Sequence, residues 1–343
     1  MKVLLFFGGA SPEHEVSVRS AKTIFNALQI NHEVSCAYIT KEDIWLKVEN
    51  PEALDGQELS FEPSKNEWKF GDQTFNINVV FPIVHGVGGE DGTLQYKLDD
   101  WGIKYVGTPA VESEICFDKR ATKALLSTSG INVVEEIIVM NKANAPNFEQ
   151  ATKQVDGEVL FIKPSRSGSS VGVHKVKSQE DLNMALEDAF KYDTTVLIER
   201  AVSSPRELEM AVLETEPMVF AASQPGEIVP DDEFYSYDAK YAETSQSRTD
   251  VDPDLSDELR SELKSVALQA NEVLGCRGLV RVDFLYDGER QKLYLNEVNT
   301  LPGFTNISMY PMLWANSGIE INELIDTMEI GRASCRERVY SSV

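Results

Sequence analysis

The first 28 residues constrain the fold most, because an apolar run passes through a glycine turn directly into a segment with helical spacing. KVLLFF (2–7) is typical of a strand buried on both faces. GGASPEHEVSVRSAKTIFNAL (8–28) combines the turn and the helix. Two further strand-like segments follow, NHEVSCAYIT and NINVVFPIVHG. This order predicts a small doubly wound parallel α/β domain over residues 1–114.

The pattern changes in the second part of the chain, residues 115–200. A helix is predicted for DKRATKALLSTSG, ending at Gly130, and another for SQEDLNMALEDAFKY. Four strand-like segments surround the second helix: EEIIVM, EVLFIKP, VGVHKV and TTVLIER. We therefore predict an α+β domain with mainly antiparallel strands.

The third part, residues 201–330, contains a polar stretch, a helix and a hairpin. The stretch SYDAKYAETSQSRTDVDPDLSDELR (236–260) shows neither the helical nor the strand period over its first two thirds, which indicates an exposed loop or lid. DELRSELKSVALQANEVLG predicts the helix, and LVRVDFLYDGERQKLYLNEVN predicts the hairpin.

The last 13 residues, GRASCRERVYSSV (331–343), carry three arginines and no apolar period. They resemble a translated sequencing adaptor joined to a truncated gene, so we expect a non-native tail and a shortened C-terminal helix.

Charge and cysteine content narrow the classes of partner. With 56 acidic and 32 basic residues the formal net charge is −24, which disfavours binding to nucleic acid or to an anionic membrane. The cysteines form no C-x-x-C pair, so neither a zinc site nor a disulfide framework is expected. No segment has the length of a signal peptide or a membrane span. We expect a cytoplasmic protein.

The segment LYLNEVNTLPGF (293–304) places two oxygen donors in an apolar strand. Because side chains alternate along a strand, Glu297 and Asn299 point to one face. A solvated sheet edge is the alternative explanation.

The other strand of the hairpin adds Arg281 and Asp283, also two positions apart. A turn with an odd number of residues, centred on residue 289 or 290, pairs Asp283 with Leu295 or Glu297 and brings the polar side chains to one face. Oxygen ligands without His or Cys suit magnesium. A cross-strand salt bridge between Arg281 and an acid is the alternative.

The segment FIKPSRSGSSVGVHKV (161–176) contains a loop of small residues that lets backbone N–H groups approach an anion closely. It is not a Walker motif, because the Lys-Ser/Thr signature is absent and a strand follows. Lys163 precedes this loop, and Lys119 lies in FDKRATK. In so acidic a protein, these lysines indicate phosphate partners, although an ordinary hairpin turn explains the loop alone.

Two turns follow strands of the first domain. GGASPEHEVSVRSA offers Ser11 as a helix N-cap and Glu13 in the first turn, and HGVGGEDG carries His85 with Glu90 and Asp91 opening a helix. Ligands settle at the carboxyl ends of parallel strands, so both turns are expected to border one cleft. The alternatives are that Glu13 only complements the helix dipole and that His85 is a buried, hydrogen-bonded histidine.

Eight motifs in order, over residues 1 to about 330, resemble those of the D-alanine–D-alanine ligases of the ATP-grasp superfamily. They are GGASPEHEVS, HGVGGEDG, YVGTPAVESEICFDKRATK, IKPSRSGSSVG, PRELEMAVL, EFYSYDAKY, RVDF and NEVNTLPGFTNISMYP. The resemblance implies an ATP-grasp fold behind the doubly wound domain, and a homodimer. It also implies ATP-dependent joining of two D-alanines, through an acylphosphate, for peptidoglycan precursor synthesis.

The resemblance also implies roles for individual residues. The nucleotide contacts would be Lys119, Lys163, Ser169, Ser170, Glu199 and Glu207, with the two lysines on the phosphates and the two glutamates at the adenine and ribose end. Two magnesium or manganese ions would be held by Asp283, Glu297 and Asn299.

The D-alanine substrates would be bound by Glu13, His85, Lys240, Ser308 and Met309. The residues with catalytic roles would be Glu13, Ser169, Tyr241, Arg281, Gly303 and Ser308. Within this set, Ser169 and Tyr241 would hydrogen bond to Glu13, and the Gly303 N–H with Arg281 would form an oxyanion site. Tyr241 favours D-alanine as the second substrate. The alternatives are a D-alanine–D-lactate or D-alanine–D-serine ligase, another carboxylate–amine ligase of the superfamily, or a non-catalytic ATP-binding protein.

Overall fold

The computed structural model describes residues 1–65, 67–229 and 248–333. Its first sheet has parallel strands at one end. The strands are β1 (Lys2–Gly8), β2 (Glu33–Ile39), β3 (Trp45–Val48), β4 (Gln57–Glu62), β5 (Glu67–Phe70), β6 (Gln73–Phe75) and β7 (Val79–Pro82). They lie in the order β6-β5-β4-β3-β2-β1-β7, with β1 parallel to both β2 and β7. The remaining pairs are antiparallel.

Alternate residues of β1 explain why helices cover both faces of this sheet. Val3, Leu5 and Phe7 belong to the core formed with α1 (His14–Leu28), whereas Leu4 and Phe6 pack in the core that includes α2 (Thr93–Asp100). The predicted doubly wound arrangement is therefore confirmed at the parallel end of the sheet. The antiparallel extension β3 to β6 was not predicted, because its strands are short and alternate polar with apolar residues only weakly.

The second sheet has the order β10-β9-β11-β8, and its described pairs are antiparallel, as predicted. Its strands are β8 (Glu136–Val139), β9 (Leu160–Pro164), β10 (His174–Val176) and β11 (Val196–Arg200). Helices α5 (Phe148–Gln154) and α6 (Gln179–Ala189) pack on this sheet, whereas α3 (Ala110–Phe117) and α4 (Lys119–Thr128) contribute Cys116 and Leu126 to the core of the third sheet. Helix α5 was not predicted, since its seven residues are too few to show a period, although Asn147 and Gln150 form a capping box at its start.

The third sheet carries the predicted hairpin. Its strands are β12 (Arg206–Glu216), β13 (Val219–Ala222), β14 (Gly226–Val229), β15 (Arg248–Asp250), β16 (Leu279–Asp287) and β17 (Lys292–Asn299). Helix α7 (Asp257–Leu274) begins at the Ser256 N-cap and ends at Gly275, which adopts a left-handed conformation (φ +67°). Strand β15 corrects part of the predicted loop, because Arg248–Asp250 pairs with β14.

Two C-terminal helices, α8 (Met309–Asn316) and α9 (Ile321–Ala333), join the third unit to the first. Tyr310 and Leu324 share one buried core with Phe7 and Ile24. Lys240, Tyr241 and positions 334–343 of the predicted tail lie outside the described residues. The three domain boundaries stay a prediction.

Two further expectations concern cysteines and membranes. Cys36, Cys116 and Cys276 are buried free thiols, and the Sγ atoms of Cys116 and Cys276 lie 3.5 Å apart. Within residues 1–65, 67–229 and 248–333, none of the helices combines the length and the apolar character needed to cross a membrane.

Asp118 connects the start of α4 to the loop after β9. Its Oδ1 accepts hydrogen bonds from the N–H groups of Arg120 (3.1 Å) and Ala121 (3.3 Å) and from Ser165 Oγ (2.6 Å). Its Oδ2 accepts from Arg166 Nε at 3.1 Å. One buried carboxylate therefore serves as both helix cap and cross-link.

We predict that Asp118→Ala lowers the free energy of unfolding by about 3 kcal/mol, because the cap and two further hydrogen bonds are lost together. Ser178→Ala is the matched control, since Ser178 caps α6 through the Asp181 N–H, and it should cost about 1 kcal/mol. Urea unfolding followed by circular dichroism measures both. Equal losses in the two variants would contradict the cross-linking role of Asp118.

Candidate active site

The register of the β16–β17 hairpin places the predicted cluster. Arg281 lies opposite Asn299, and Asp283 lies opposite Glu297. Glu297 is one of the two partners predicted for Asp283. The predicted odd-membered turn is wrong, because Asp287 pairs with Lys292 and residues 288–291 form a four-residue turn. The register shifts between Asp283 and Phe284, which pairs with Leu295.

This shift leaves Asn296 as the extra residue of a β-bulge. In a regular strand, Leu295 and Glu297 would share a face. Because of the bulge, Leu295 packs in the core beside Phe284, while Glu297 is only partly buried and lines the cavity described below. The bulge, rather than the turn, brings Glu297 to the polar face.

The polar side chains of the hairpin contact one another directly. Arg281 donates from Nε and Nη2 to the two carboxylate oxygens of Asp283, both at 2.7 Å, and Asn299 Nδ2 donates to Asp283 Oδ2 at 3.0 Å. Arg281 Nε also lies 3.1 Å from Glu209 Oε2. Burial disfavours the charged guanidinium, yet Asp283 and Glu209 hold the pKa of Arg281 well above its ordinary value.

Both readings of the hairpin therefore describe part of the geometry. Arg281 pairs with two acids: Asp283 on its own strand and Glu209 on the neighbouring strand β12, the second of which is a cross-strand salt bridge of the kind that the alternative describes. Asp283, Glu297 and Asn299 still lie together, and their oxygen donors are of the type that magnesium prefers. No group of three His, Cys, Asp or Glu side chains forms a metal cluster in the part of the chain that the structure describes, so this cation site requires the Asn299 amide.

The loop after β9 has a strained backbone. Ser169 and Ser170 adopt positive φ values of +49° and +59°, a conformation that residues other than glycine rarely adopt. Such strain persists where contacts hold the loop in place. Lys119 supplies one contact, donating from Nζ to the Ser167 carbonyl at 2.6 Å, and the same Nζ lies 3.7 Å from Glu297 Oε2.

Glu13 lies where this loop meets the first domain. Its carboxylate accepts a hydrogen bond from Ser169 Oγ. A Cβ added at Gly86 would lie 2.7 Å from Glu13 Oε2, and one added at Gly168 would lie 3.1 Å from it, so both glycines allow close approach. The N-cap prediction for Ser11 is wrong, because Glu13 occupies that position and Ser11 Oγ donates to the His85 carbonyl at 2.7 Å.

His85 has the environment of a buried, hydrogen-bonded histidine. It is 3% exposed, and its Nδ1 donates to the Leu301 carbonyl at 2.9 Å. Nδ1 also lies 3.6 Å from Glu90 Oε1. Burial alone would lower the pKa of His85, but Glu90 outweighs burial and raises it. A substrate contact by His85 stays a prediction.

The TLPGF loop adjoins the start of α8. A Cβ added at Gly303 would lie 2.7 Å from Ser308 Oγ, so a larger residue here would displace this hydroxyl. Ser308 Oγ also accepts from the Thr305 N–H at 3.0 Å, and Met309 beside it is buried. Gly303 and Ser308, which were predicted separately as site residues, are therefore adjacent in space.

A cavity of about 1220 Å³ lies between the second and third sheets. Its volume is large enough for a ligand of nucleotide size. The lining residues used below are Lys119, Lys163, Glu199, Glu207, Asn296 and Glu297. Ser170 also lines this cavity.

A row of alternating charges starts at the cavity wall, with Lys163 and Glu199, and continues behind it, with Lys123 and Glu136. Lys163 Nζ is 2.8 Å from Glu199 Oε2, and Lys123 Nζ is 2.6 Å from Glu199 Oε1. Lys123 Nζ is also 2.6 Å from Glu136 Oε2. Burial favours the neutral acid, but Lys123 and Lys163 outweigh it and lower the pKa of Glu199 to about 2. The Glu199 carboxylate is therefore ionised and held between two lysines.

Two members of the site were missed by the sequence analysis. Lys123 lies one helical turn after Lys119, which is a sequence signal, but nothing linked it to Glu199. Asn296 lines the cavity and accepts from Lys163 Nζ at 3.4 Å. Its orientation depends on the bulge, which hydrophobic periodicity does not predict.

Sequence comparisons match nearly the whole chain to one protein family. A family model described as D-ala D-ala ligase N-terminus matches residues 2–108, and one described as D-ala D-ala ligase C-terminus matches residues 125–329. A D-alanine–D-alanine ligase of Caldicellulosiruptor bescii is 41% identical, covering 96% of this chain and 94% of its own. A D-alanine–D-alanine ligase of Clostridium acetobutylicum is 39% identical, and the match covers 95% of this chain and 96% of the relative.

Comparisons of structure give the same answer. The D-alanine–D-alanine ligase of Coxiella burnetii superimposes with a TM-score of 0.87 at 29% identity, covering 99% of this chain and 98% of that one. The VanG D-Ala:D-Ser ligase of Enterococcus faecalis gives 0.85 at 29%, covering 96% and 99%. The expected ATP-grasp fold behind a doubly wound domain is thereby confirmed. The chain belongs to the D-alanine–D-alanine ligase family.

Proposed function

We propose that this protein joins two D-alanine molecules into D-alanyl-D-alanine, with conversion of ATP to ADP and phosphate. The observation that carries the proposal is the cavity between the second and third sheets, where Lys119 and Lys163 lie near the oxygen donors of the hairpin. The names of the relatives support this choice of substrates.

ATP occupies this cavity in the proposed complex. Lys119 and Lys163 contact its phosphates. Phosphates require positively charged partners, and in an otherwise acidic protein these lysines supply them. Ser169 and Ser170 cover the phosphates through the strained loop. Glu207, and Glu199 with its surrounding backbone, form the adenine and ribose end.

Asp283, Glu297 and Asn299 hold two divalent cations, magnesium or manganese, in the proposed complex. Bound there, the cations neutralise charge on the terminal phosphates of ATP. The donor set fits, because two carboxylates and an amide lie on one face of the hairpin. The Asp283 carboxylate would be held in position for a cation by Arg281.

The D-alanine site lies beside Glu13. A carboxylate held by Ser169 and flanked by Gly86 and Gly168 fits a small ammonium group. Ser308 binds the carboxylate of the second D-alanine, and His85 and Met309 complete the site from the two sides. Lys240 and Tyr241 belong to the proposed lid and lie outside the described residues.

The reaction proceeds in two steps. The carboxylate of the first D-alanine attacks the γ-phosphorus of ATP, releasing ADP and forming an acylphosphate. The amino group of the second D-alanine then attacks the acyl carbon, and phosphate leaves. Arg281 and the Gly303 N–H stabilise the charge that develops on oxygen, and the lid excludes water that would hydrolyse the acylphosphate.

A D-alanine–D-serine ligase is the second candidate, favoured by the structural similarity to the VanG D-Ala:D-Ser ligase. Tyr241 supports D-alanine over the other acceptors. We also propose a cytoplasmic homodimer that supplies a peptidoglycan precursor.

We predict that the purified protein, with ATP, magnesium and D-alanine, releases ADP and forms D-alanyl-D-alanine detectable by mass spectrometry. Competition among D-alanine, D-serine and D-lactate as acceptors should give mainly the D-alanine product. Absence of dipeptide at millimolar D-alanine would refute the proposed reaction, and a dominant D-serine product would establish the second candidate.

We predict that Glu297→Ala reduces turnover by at least about 100-fold without unfolding the protein, because the loss falls on cation binding rather than packing. Glu262→Ala, on an exposed position of α7, is the control and should keep normal turnover. Steady-state kinetics and circular dichroism measure the two effects. Near-normal turnover in Glu297→Ala would remove the cation assignment.

We predict that Glu13→Gln raises the KM for D-alanine by about 10- to 100-fold and leaves the KM for ATP within about twofold, since one charge-assisted contact is lost. Glu15→Gln changes an exposed acid of the same helix turn, which forms an ion pair with the surface residue Lys41 (3.2 Å), and should leave both constants unchanged. A parallel change of both KM values in Glu13→Gln would argue against a substrate contact.

A further inference from the structure

Lys123 is a buried cation for which the proposed reaction has no direct use. It is 3% exposed and lies on α4, where its ammonium group contacts the carboxylates of Glu199 and Glu136. Burial disfavours its charge, but the two carboxylates outweigh burial and raise the pKa of Lys123. A charged lysine in this position requires a physical explanation.

Stability alone is a weak explanation for this ion pair. Taking charges out of water costs free energy that their mutual attraction only approximately offsets, so apolar residues often replace a buried pair without loss. A buried pair that is kept can instead fix the position of a functional group. The group in reach here is Lys163, which shares the Glu199 carboxylate with Lys123.

The two oxygens of Glu199 divide between the two lysines. Oε1 faces Lys123 at 2.6 Å, and Oε2 faces Lys163 at 2.8 Å. Lys163 Nζ also lies 3.4 Å from Asn296 Oδ1, so its ammonium group lies between Glu199 and the bulge of the hairpin. Glu199 and Lys163 both line the cavity, whereas Lys123 contacts Glu199 from the α4 side.

We propose that Lys123 is a positioning residue for nucleotide binding: it fixes the Glu199 carboxylate from behind, and Glu199 in turn holds Lys163 at the cavity wall. The proposal rests on the proposed function for the identity of the nucleotide. Lys123 itself does not touch the nucleotide.

The charge balance explains why two lysines are required. With Lys123 present, the negative charge of Glu199 is shared, and Lys163 keeps positive charge for a phosphate. Without Lys123, Lys163 is the remaining cation on Glu199 among the contacts that the structure gives, and its charge is neutralised before a phosphate arrives. Affinity for the nucleotide should then fall, while the D-alanine site beside Glu13 is not affected.

The test compares three variants of the full chain with the wild-type protein. Lys123→Met removes the ammonium, and Lys123→Arg keeps the positive charge. Lys123→Met/Glu136→Gln removes one charge of each sign, so it avoids an excess of buried negative charge and keeps the test valid if Lys123→Met does not fold. Lys47→Met is the control, since Lys47 is a partly buried lysine of β3 whose Nζ donates to the Val48 carbonyl at 2.9 Å.

In Lys123→Met and in the double variant, we expect the Kd for ADP, measured by calorimetry, and the KM for ATP to rise about tenfold. This rise corresponds to the loss of one charge-assisted contact. The KM for D-alanine should stay within about twofold. Lys123→Arg should recover most of the nucleotide affinity, and Lys47→Met should match the wild type in both constants.

The proposal is overturned if the charge-balanced double variant is folded and binds ADP as the wild type does. It is also overturned if the KM values for ATP and D-alanine rise together, because that result indicates general damage. ADP binding does not require the ligation reaction. If the wild-type protein binds ADP but forms no dipeptide, the proposed reaction is refuted, and ADP binding by the variants still decides the role of Lys123.

Discussion

The bulge at Asn296 is the constraint on which the rest of the site depends. One extra residue in β17 reverses the side-chain alternation between Leu295 and Glu297. Leu295 can therefore complete the core under the third sheet while Glu297 joins Asp283 and Asn299 on the polar face. A regular hairpin with the same turn would direct either an acid into the core or a leucine into the cavity.

Contacts across the three sheets then assemble the site from distant parts of the chain. Ser169 from the second unit reaches Glu13 of the first, and His85 of the first contacts the Leu301 carbonyl after β17. Asp118 fixes the loop that carries Ser169 to the start of α4, the helix that also supplies Lys119 and Lys123. In the proposed reaction, these connections keep phosphate partners and substrate partners in a fixed relation, which is the geometry that acceleration by positioning requires.

The sequence predicted the elements whose signal is local. The apolar run of β1, the Gly130 end of α4 and the two strands of the hairpin all follow from periodicity and turn residues. It did not predict features that depend on three-dimensional context. The Asn296 bulge, the position of Lys123 behind Glu199 and the displacement of the N-cap from Ser11 to Glu13 all involve contacts between residues far apart in the chain. Of the two partners predicted for Asp283, Leu295 and Glu297, the second was right, although the turn proposed for the hairpin was wrong.

The central claim is that the hairpin gathers oxygen donors around divalent cations that accompany a nucleotide. Binding of Mn²⁺, measured by electron paramagnetic resonance in the presence of ADP, tests it directly with the wild type and Asp283→Asn. We expect tight, nucleotide-dependent Mn²⁺ binding in the wild type and its loss in Asp283→Asn, with ADP still bound. Equal Mn²⁺ binding in the two proteins would contradict the account.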